Sequence, residues 1–156
     1  YEPFAKQAVE AGIDAALITD LPPEEADEYL ESVNKYGLGT VFLCSPTTTQ
    51  ARLKLIDDAS NAFVYYVARA GVTGVQTSLP DDVTAKLSEL KKDFQNPLCV
   101  GFGISTSEQV AALAPHANGV IVGSALVKIF EQYQSDELLE RIGAFTREMS
   151  QGLKHV

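Results

Sequence analysis

The chain has 156 residues, 46% of them hydrophobic, at a mean hydropathy of +0.00; it can bury a core, and the composition excludes a disordered or fibrous polymer. Net charge is −9 with Lys and Arg scattered along the chain, so the long-range field repels a nucleic-acid backbone and no nucleic-acid partner is expected. The longest apolar stretches, such as Ala15 to Ile18 and Val120 to Val122, fall far short of the roughly 20 residues that a membrane-spanning helix requires, so no membrane partner is expected.

The opening residues, Tyr1-Glu2-Pro3-Phe4-Ala5-Lys6, carry neither a basic leader with an apolar stretch nor an initiating Met, and a preceding portion of the protein is expected. Phe4, Ala8, Val9 and Ala11 predict a helix closed by Gly12. Five short apolar runs then follow: Ala15 to Thr19, Thr40 to Leu43, Ala62 to Val67, Leu98 to Val100 and Val120 to Val122. Their spacing is that of a strand followed by a helix, which predicts a parallel sheet, and their continuous apolar character predicts burial on both faces.

A helix is predicted after Pro22-Pro23, with Glu24 and Glu25 in its first turn, Ala26, Leu30 and Val33 on its buried stripe and Gly37 as its stop. Thr47, Thr48 and Thr49 offer N-caps for a helix through Ile56. From Asp81, the residues Val83, Leu87, Leu90 and Phe94 mark one helical face, with Lys86, Glu89 and Lys92 on the wetter side. Ser105 and Ser107 offer caps for a helix through Leu113, and Ser135 for a last helix with Leu138, Leu139, Ile142, Phe145 and Met149 on one side. No composition shift marks a second domain, so residues 1–156 read as a single domain. It is either a (β/α) barrel short of its first strands or an open doubly wound sheet. Cys44 and Cys99, far apart within apolar runs, predict buried free thiols in a reducing cytoplasm.

In parallel α/β folds the functional groups gather at the C-terminal ends of strands. After the fourth and fifth runs stand Val100-Gly101-Phe102-Gly103-Ile104-Ser105 and Gly119-Val120-Ile121-Val122-Gly123-Ser124, each with glycine between a strand and a helix start. Backbone N–H groups there can approach phosphate oxygens closely, where a side chain at Gly103 or Gly123 would obstruct them, while the next helix presents its positive end. Ser124 adds a hydroxyl donor. The third run leads into Arg69-Ala70-Gly71-Val72-Thr73-Gly74, long enough to cover a pocket. Alternation lets only one of Tyr65 and Tyr66 face that pocket. Asp20, at the end of the first run, reads equally as an acid-base group or as a helix cap. His116 and His155 have no partners in ligand spacing, so no metal is expected.

Taken together, Thr19-Asp20-Leu21-Pro22-Pro23-Glu24-Glu25, Ser45-Pro46-Thr47-Thr48, Gly71-Val72-Thr73-Gly74, Val100 to Ser105 and Gly119 to Ser124 resemble, in order and spacing, the tryptophan synthase alpha subunit family. The resemblance implies an α/β fold, a phosphate-binding TIM (β/α)8 barrel, here incomplete and supplying strands four to eight. It implies retro-aldol cleavage of indole-3-glycerol phosphate to indole and glyceraldehyde 3-phosphate. By motif, the phosphate falls to Gly74, Phe102, Gly103, Gly123 and Ser124, the indole-glycerol part to Tyr65, and closure of the site to Thr73. The family's acid-base carboxylates correspond to positions before Tyr1, so no catalytic residue is named here and the isolated chain is expected to be inactive. The resemblance further implies no cofactor in this subunit, and a beta-subunit partner that carries pyridoxal phosphate.

Three other readings compete. An indole-glycerol-phosphate synthase or sugar-phosphate epimerase shares the two glycine loops, but a synthase calls for lysines at strand ends, and the runs here end in Asp20, Cys44, Val67, Gly101 and Gly123. A non-catalytic partial barrel could associate with itself through open strand edges. A nucleotide-binding sheet ranks last, because no Gly-x-Gly-x-x-Gly follows the first strand.

Overall fold

The computed structural model describes residues 1–68, 81–101 and 103–153. The elements, in order, are α1 (Glu2–Glu10), β1 (Ala15–Leu17), a 3-10 turn (Pro23–Glu25), α2 (Asp27–Tyr36), β2 (Gly39–Cys44), α3 (Gln50–Ala59), β3 (Phe63–Val67), α4 (Asp81–Asp93), β4 (Leu98–Gly101), α5 (Ser107–Leu113), a 3-10 turn (Ala114–His116), β5 (Gly119–Ile121), α6 (Ser124–Gln132) and α7 (Ser135–Gln151). All five apolar runs form strands. They pair in parallel in the order β1-β2-β3-β4-β5.

That order decides between the two architectures. A doubly wound sheet reverses its strand order partway so that helices cover both faces. Strands that advance always in the same direction through right-handed crossovers place every helix on one side, as in a barrel. Burial agrees with the second arrangement. Phe42, Cys44, Val64, Tyr66, Leu98 and Val100 are buried against Val33, Leu53, Ile56, Leu87, Leu90 and Leu113 in one core. On the opposite face, Leu43, Tyr65 and Cys99 stand in register and are only half-buried, as are Phe63, Val67 and Ile121. The expectation of strands buried on both faces thus holds for the helix-covered face; among the described residues the five strands form an arc whose concave side is half-buried.

Local chemistry explains most of the helix ends. Gly37 stops α2 at φ 72°, a left-handed conformation that glycine adopts without a Cβ penalty. α4 buries Val83, Leu87 and Leu90, each contributing about 1.5–3 kcal/mol relative to exposure. Asp57, 4% exposed at the end of α3, accepts hydrogen bonds from the Gln95 N–H (2.9 Å), the Asn96 N–H (3.1 Å) and Asn96 Nδ2 (3.0 Å), tying α3 to the turn before β4. Thr40 and Asn61 exchange bonds in the same way below β2, and the Asn118 side chain accepts from the Leu98 N–H.

Several predicted caps and faces are corrected. The Glu24-Glu25 segment is a separate 3-10 turn, and α2 begins at Asp27 behind Ala26, because Pro22-Pro23 fixes a tight turn before the helix can start. α3 starts after Thr49, without a side-chain cap bond. α5 is capped by Thr106 rather than Ser105 or Ser107: Thr106 accepts from the Gln109 N–H and the Gln109 side chain returns a bond, a reciprocal pair that needs Thr and Gln three residues apart. Gln134, not Ser135, occupies the cap position of α7, and Ser135 takes φ 52° at the break between α6 and α7. Phe4 and Val9 are exposed while Ala5 and Ala8 face the core, and Leu139 is exposed while Leu138, Ile142, Phe145 and Met149 turn inward. Adjacent residues on a helix point about 100° apart, so neither Val9 beside Ala8 nor Leu139 beside Leu138 can share the buried stripe.

Candidate functional site

The C-terminal ends of β3, β4 and β5 lie side by side, because Val67, Gly101 and Ile121 are in register. Gly103 and Gly123 each follow two residues later, so their loops emerge next to each other. Tyr65 stands on the concave face of β3, half-buried, while Tyr66 is 1% exposed beneath the helices. The alternation that the sequence left undecided thus resolves in favour of Tyr65.

Gly101 controls where the Tyr65 ring ends. A methyl group added at Gly101 would lie 2.9 Å from Tyr65 Oη, 2.9 Å from the Ile121 carbonyl oxygen and 2.9 Å from Ile121 Cβ. The phenol therefore reaches across β4 only because position 101 carries no side chain. Sequence reasoning noted this glycine as part of a loop motif and missed the contact, which depends on the β3–β4 register.

The two glycine loops differ. Gly103 takes φ 70°, which L side chains rarely adopt, and the space beyond its Cα is open. The helix after it, α5, is closed by the chain itself: Thr106 and Gln109 form the capping box, and the Glu108 carboxyl is held below its usual 4.5 by hydrogen bonds from its own backbone N–H and the Thr106 hydroxyl. Gly123 sits at the N-cap of α6 with no side-chain cap bond and nothing within 4 Å of where a Cβ would stand. The Leu126 and Val127 N–H groups bond to the Gly123 carbonyl, at 2.9 and 3.1 Å. The exposed first turn at Ser124 thus presents its N–H groups and positive end outward. Of the two helix starts, α5 is engaged by its own capping box and α6 is not.

Phe102, Thr73 and Gly74, expected at the phosphate and the cover, lie outside the described residues, as do Arg69 and His155. His116 accepts or donates at Nδ1 to Ser88 Oγ, 2.7 Å away. Asp20 is exposed and caps no helix. It lines an open cleft of ≈ 510 Å³ with Ile18, Ser45, Thr48, Arg52 and Val67, at the ends of β1 to β3 and without a glycine-loop residue. Arg52 there pairs with Glu24 through Nε at 3.0 Å. Both cysteines are free; burial pushes the Cys44 thiol up to about 12, while Cys99 is half-buried and its thiol raised for the same reason. Among the described residues, no helix is long and apolar enough to cross a membrane.

Residues 1–154 match the family described as tryptophan synthase alpha chain. The tryptophan synthase alpha chain of Geobacter sp. (strain M21) is 46% identical over 152 residues, covering 97% of this chain and 57% of that one. That of Legionella pneumophila (strain Lens) is 42% identical over 158 residues, covering 100% and 58%. The crystal structure of subunit alpha from Legionella pneumophila str. Paris superimposes with a TM-score of 0.82 at 38% identity, over 100% of this chain and 58% of that one. A structure described as the tryptophan synthase α2β2 complex of Pyrococcus furiosus gives 0.84 at 39%, over 94% and 59%. The chain spans a little under three fifths of the length of these relatives. Motif order, strand order and the match across nearly its whole length agree, and the chain belongs to the tryptophan synthase alpha chain family.

Proposed function

We propose that this chain supplies the phosphate-binding part of a lyase that cleaves indole-3-glycerol phosphate to indole and glyceraldehyde 3-phosphate in tryptophan biosynthesis, in the cytoplasm. The observation that carries the reading is the uncapped start of α6 at Gly123, beside the Gly103 loop and the Tyr65 ring. In this reading the backbone N–H groups at Gly123 and Ser124 hold the phosphate. The backbone of Gly103 flanks it, and Gly74 and Phe102 add contacts. Tyr65, with Leu43 beside it in register, offers a flat apolar floor to the indole ring, and Thr73 closes the site.

The reaction needs an acid at indole C3 and a base at a hydroxyl of the glycerol chain, so that the carbon–carbon bond breaks as one proton arrives and another leaves. Binding the phosphate orients the substrate but moves no proton. We assign neither proton transfer to a residue of this chain. The subunit itself works without a cofactor, and its partner is a beta subunit with pyridoxal phosphate; the likeness to the complexed Pyrococcus furiosus chain supports the beta-subunit partner. We also take residues 1–156 as one partial-barrel domain, supported by the single buried core.

The test follows amide chemical shifts of the chain as glycerol 3-phosphate is added, alongside an indole-release assay. Movement of the Ser124 and Ala125 amides, lost in Gly123→Val, with no indole formed, is the expected result. Unmoved α6 amides refute the phosphate site, and indole release by this chain alone refutes the assignment of proton transfer elsewhere.

A further inference from the structure

We propose that Asn118-Gly119 is a site of spontaneous deamidation that the folded chain holds shut, so that the modification proceeds only when β5 parts from β4. The inference rests on the packing at the start of β5 and not on the lyase reading. Of the four asparagines, Asn34, Asn61, Asn96 and Asn118, only Asn118 is followed by glycine. A glycine nitrogen reaches the preceding side chain unhindered, because no Cβ stands beside it. That nitrogen, having lost its proton to hydroxide, adds to Asn118 Cγ; the bond from Cγ to Nδ2 breaks, and ammonia leaves with a proton drawn from water. Water then opens the cyclic imide at either carbonyl, giving aspartate or isoaspartate.

Packing forbids exchange of the glycine. A Cβ at position 119 would lie 2.8 Å from Sγ of Cys99, its register partner on β4, well inside van der Waals contact. The fold restrains the asparagine instead. Its backbone N–H donates to the Leu98 carbonyl at 2.7 Å, and its Oδ1 accepts from the Leu98 N–H at 3.0 Å. Both bonds cross to the first residue of β4. Cγ can turn back to the Gly119 nitrogen only after the side-chain bond is given up and Gly119 leaves its pairing with Cys99. The same clasp stands before β3, where Asn61 Oδ1 accepts from the Thr40 N–H at 2.7 Å. There Ala62 follows, and its Cβ obstructs the ring.

The two products differ in what they do to β5. Aspartate keeps an acceptor for the Leu98 N–H and a main chain of the same length. Isoaspartate routes the main chain through the side-chain methylene, and the added carbon prevents both Leu98 bonds from forming in register. Because β5 ends at Ile121 and α6 begins at Ser124, a displaced β5 also moves the Gly123 turn.

Peptide mapping by mass spectrometry at pH 8 follows the exchange of NH2 for OH at each asparagine, in the native chain and in denaturing urea. In urea Asn118 is expected to convert about tenfold or more faster than Asn61, and in the native chain its own rate is expected to fall by about tenfold or more. In Cys99→Ala/Gly119→Ala the new Cβ meets only the position-99 Cβ, at 3.8 Å, and the fast conversion in urea is expected to disappear. Asn118→Asp is expected to unfold at the wild-type urea midpoint or above it, and chains with isoaspartate at position 118 at a lower one. Conversion of Asn118 no faster than that of Asn61 in urea refutes the site. Equal rates at Asn118 in the native chain and in urea refute the clasp, and an isoaspartyl chain as stable as the wild type refutes the displacement of β5.

Discussion

Gly101→Ala tests the geometry of the site through a single methyl group. The new carbon would stand 2.9 Å from Tyr65 Oη and from two atoms of Ile121, one of them the backbone oxygen. Ordinary carbon contacts begin near 3.5 Å, so something must yield by about half an ångström. The Tyr65 ring can swing, but the Ile121 oxygen belongs to β5, which is paired to β4. Overpacking of this kind costs about 1–3 kcal/mol. Urea unfolding of the wild type, Gly101→Ala, Tyr65→Ala and the double variant measures it. Removing the phenol relieves one of the three contacts, so the double variant is expected to be more stable than additivity predicts, by about 0.5–1.5 kcal/mol. If Gly101→Ala unfolds at the wild-type midpoint, or if the two changes simply add, Tyr65 does not depend on the notch at position 101 and the site as described is wrong.

Asp57→Ala leaves the Gln95 and Asn96 N–H groups without their acceptor and is expected to cost about 2–4 kcal/mol by urea unfolding, with Asp57→Asn closer to wild type. Gly103→Ala forces an L side chain to φ 70°, for an expected loss of about 1 kcal/mol in the same assay. Cys44, whose thiol is raised from 9.0 to about 12 by burial, favours the folded state fully below pH 9, and that contribution is lost as pH rises from 9 towards 12. Unfolding free energies should fall over this window by about 1 kcal/mol per pH unit, more steeply than in Cys44→Ala; equal slopes would count against a buried thiol. At pH 8 a thiol reagent should modify Cys99 before Cys44 in the folded protein, and both together after unfolding.

The five strands were legible because each is a short, continuous apolar or β-branched run, and the strand-end glycines were legible because they follow those runs directly. The strand order was not, since spacing predicts a parallel sheet but leaves its winding open; only the pairing of β1 through β5 in sequence separates arc from open sheet. Half-burial of the concave face was not legible for a related reason. Leu43, Phe63 and Val67 are as apolar as residues packed from both sides, but what covers them depends on parts of the surface that a local run of residues does not encode. Thr106 went unread as a cap because Ser105 and Ser107 flank it with equal propensity, and the choice falls to Gln109 three residues on.

The same capping box bears on how the phosphate reading divides between the two loops. A helix start can receive an anion only with donors that are not already engaged. At α5 the Thr106 hydroxyl takes the Gln109 N–H, the Gln109 side chain takes the Ser105 and Thr106 N–H groups, and the Glu108 carboxylate already places negative charge in the first turn. A phosphate there would displace neutral bonds that the chain already makes and meet a like charge. At α6 neither obstacle exists: Gly123 offers no side chain, its first-turn residues carry no acid, and Lys128 follows within the helix. On the proposed reading the affinity of the site resides in α6, while the Gly103 loop shapes its wall, so Thr106→Ala should lower stability by about 1 kcal/mol and leave glycerol 3-phosphate binding unchanged.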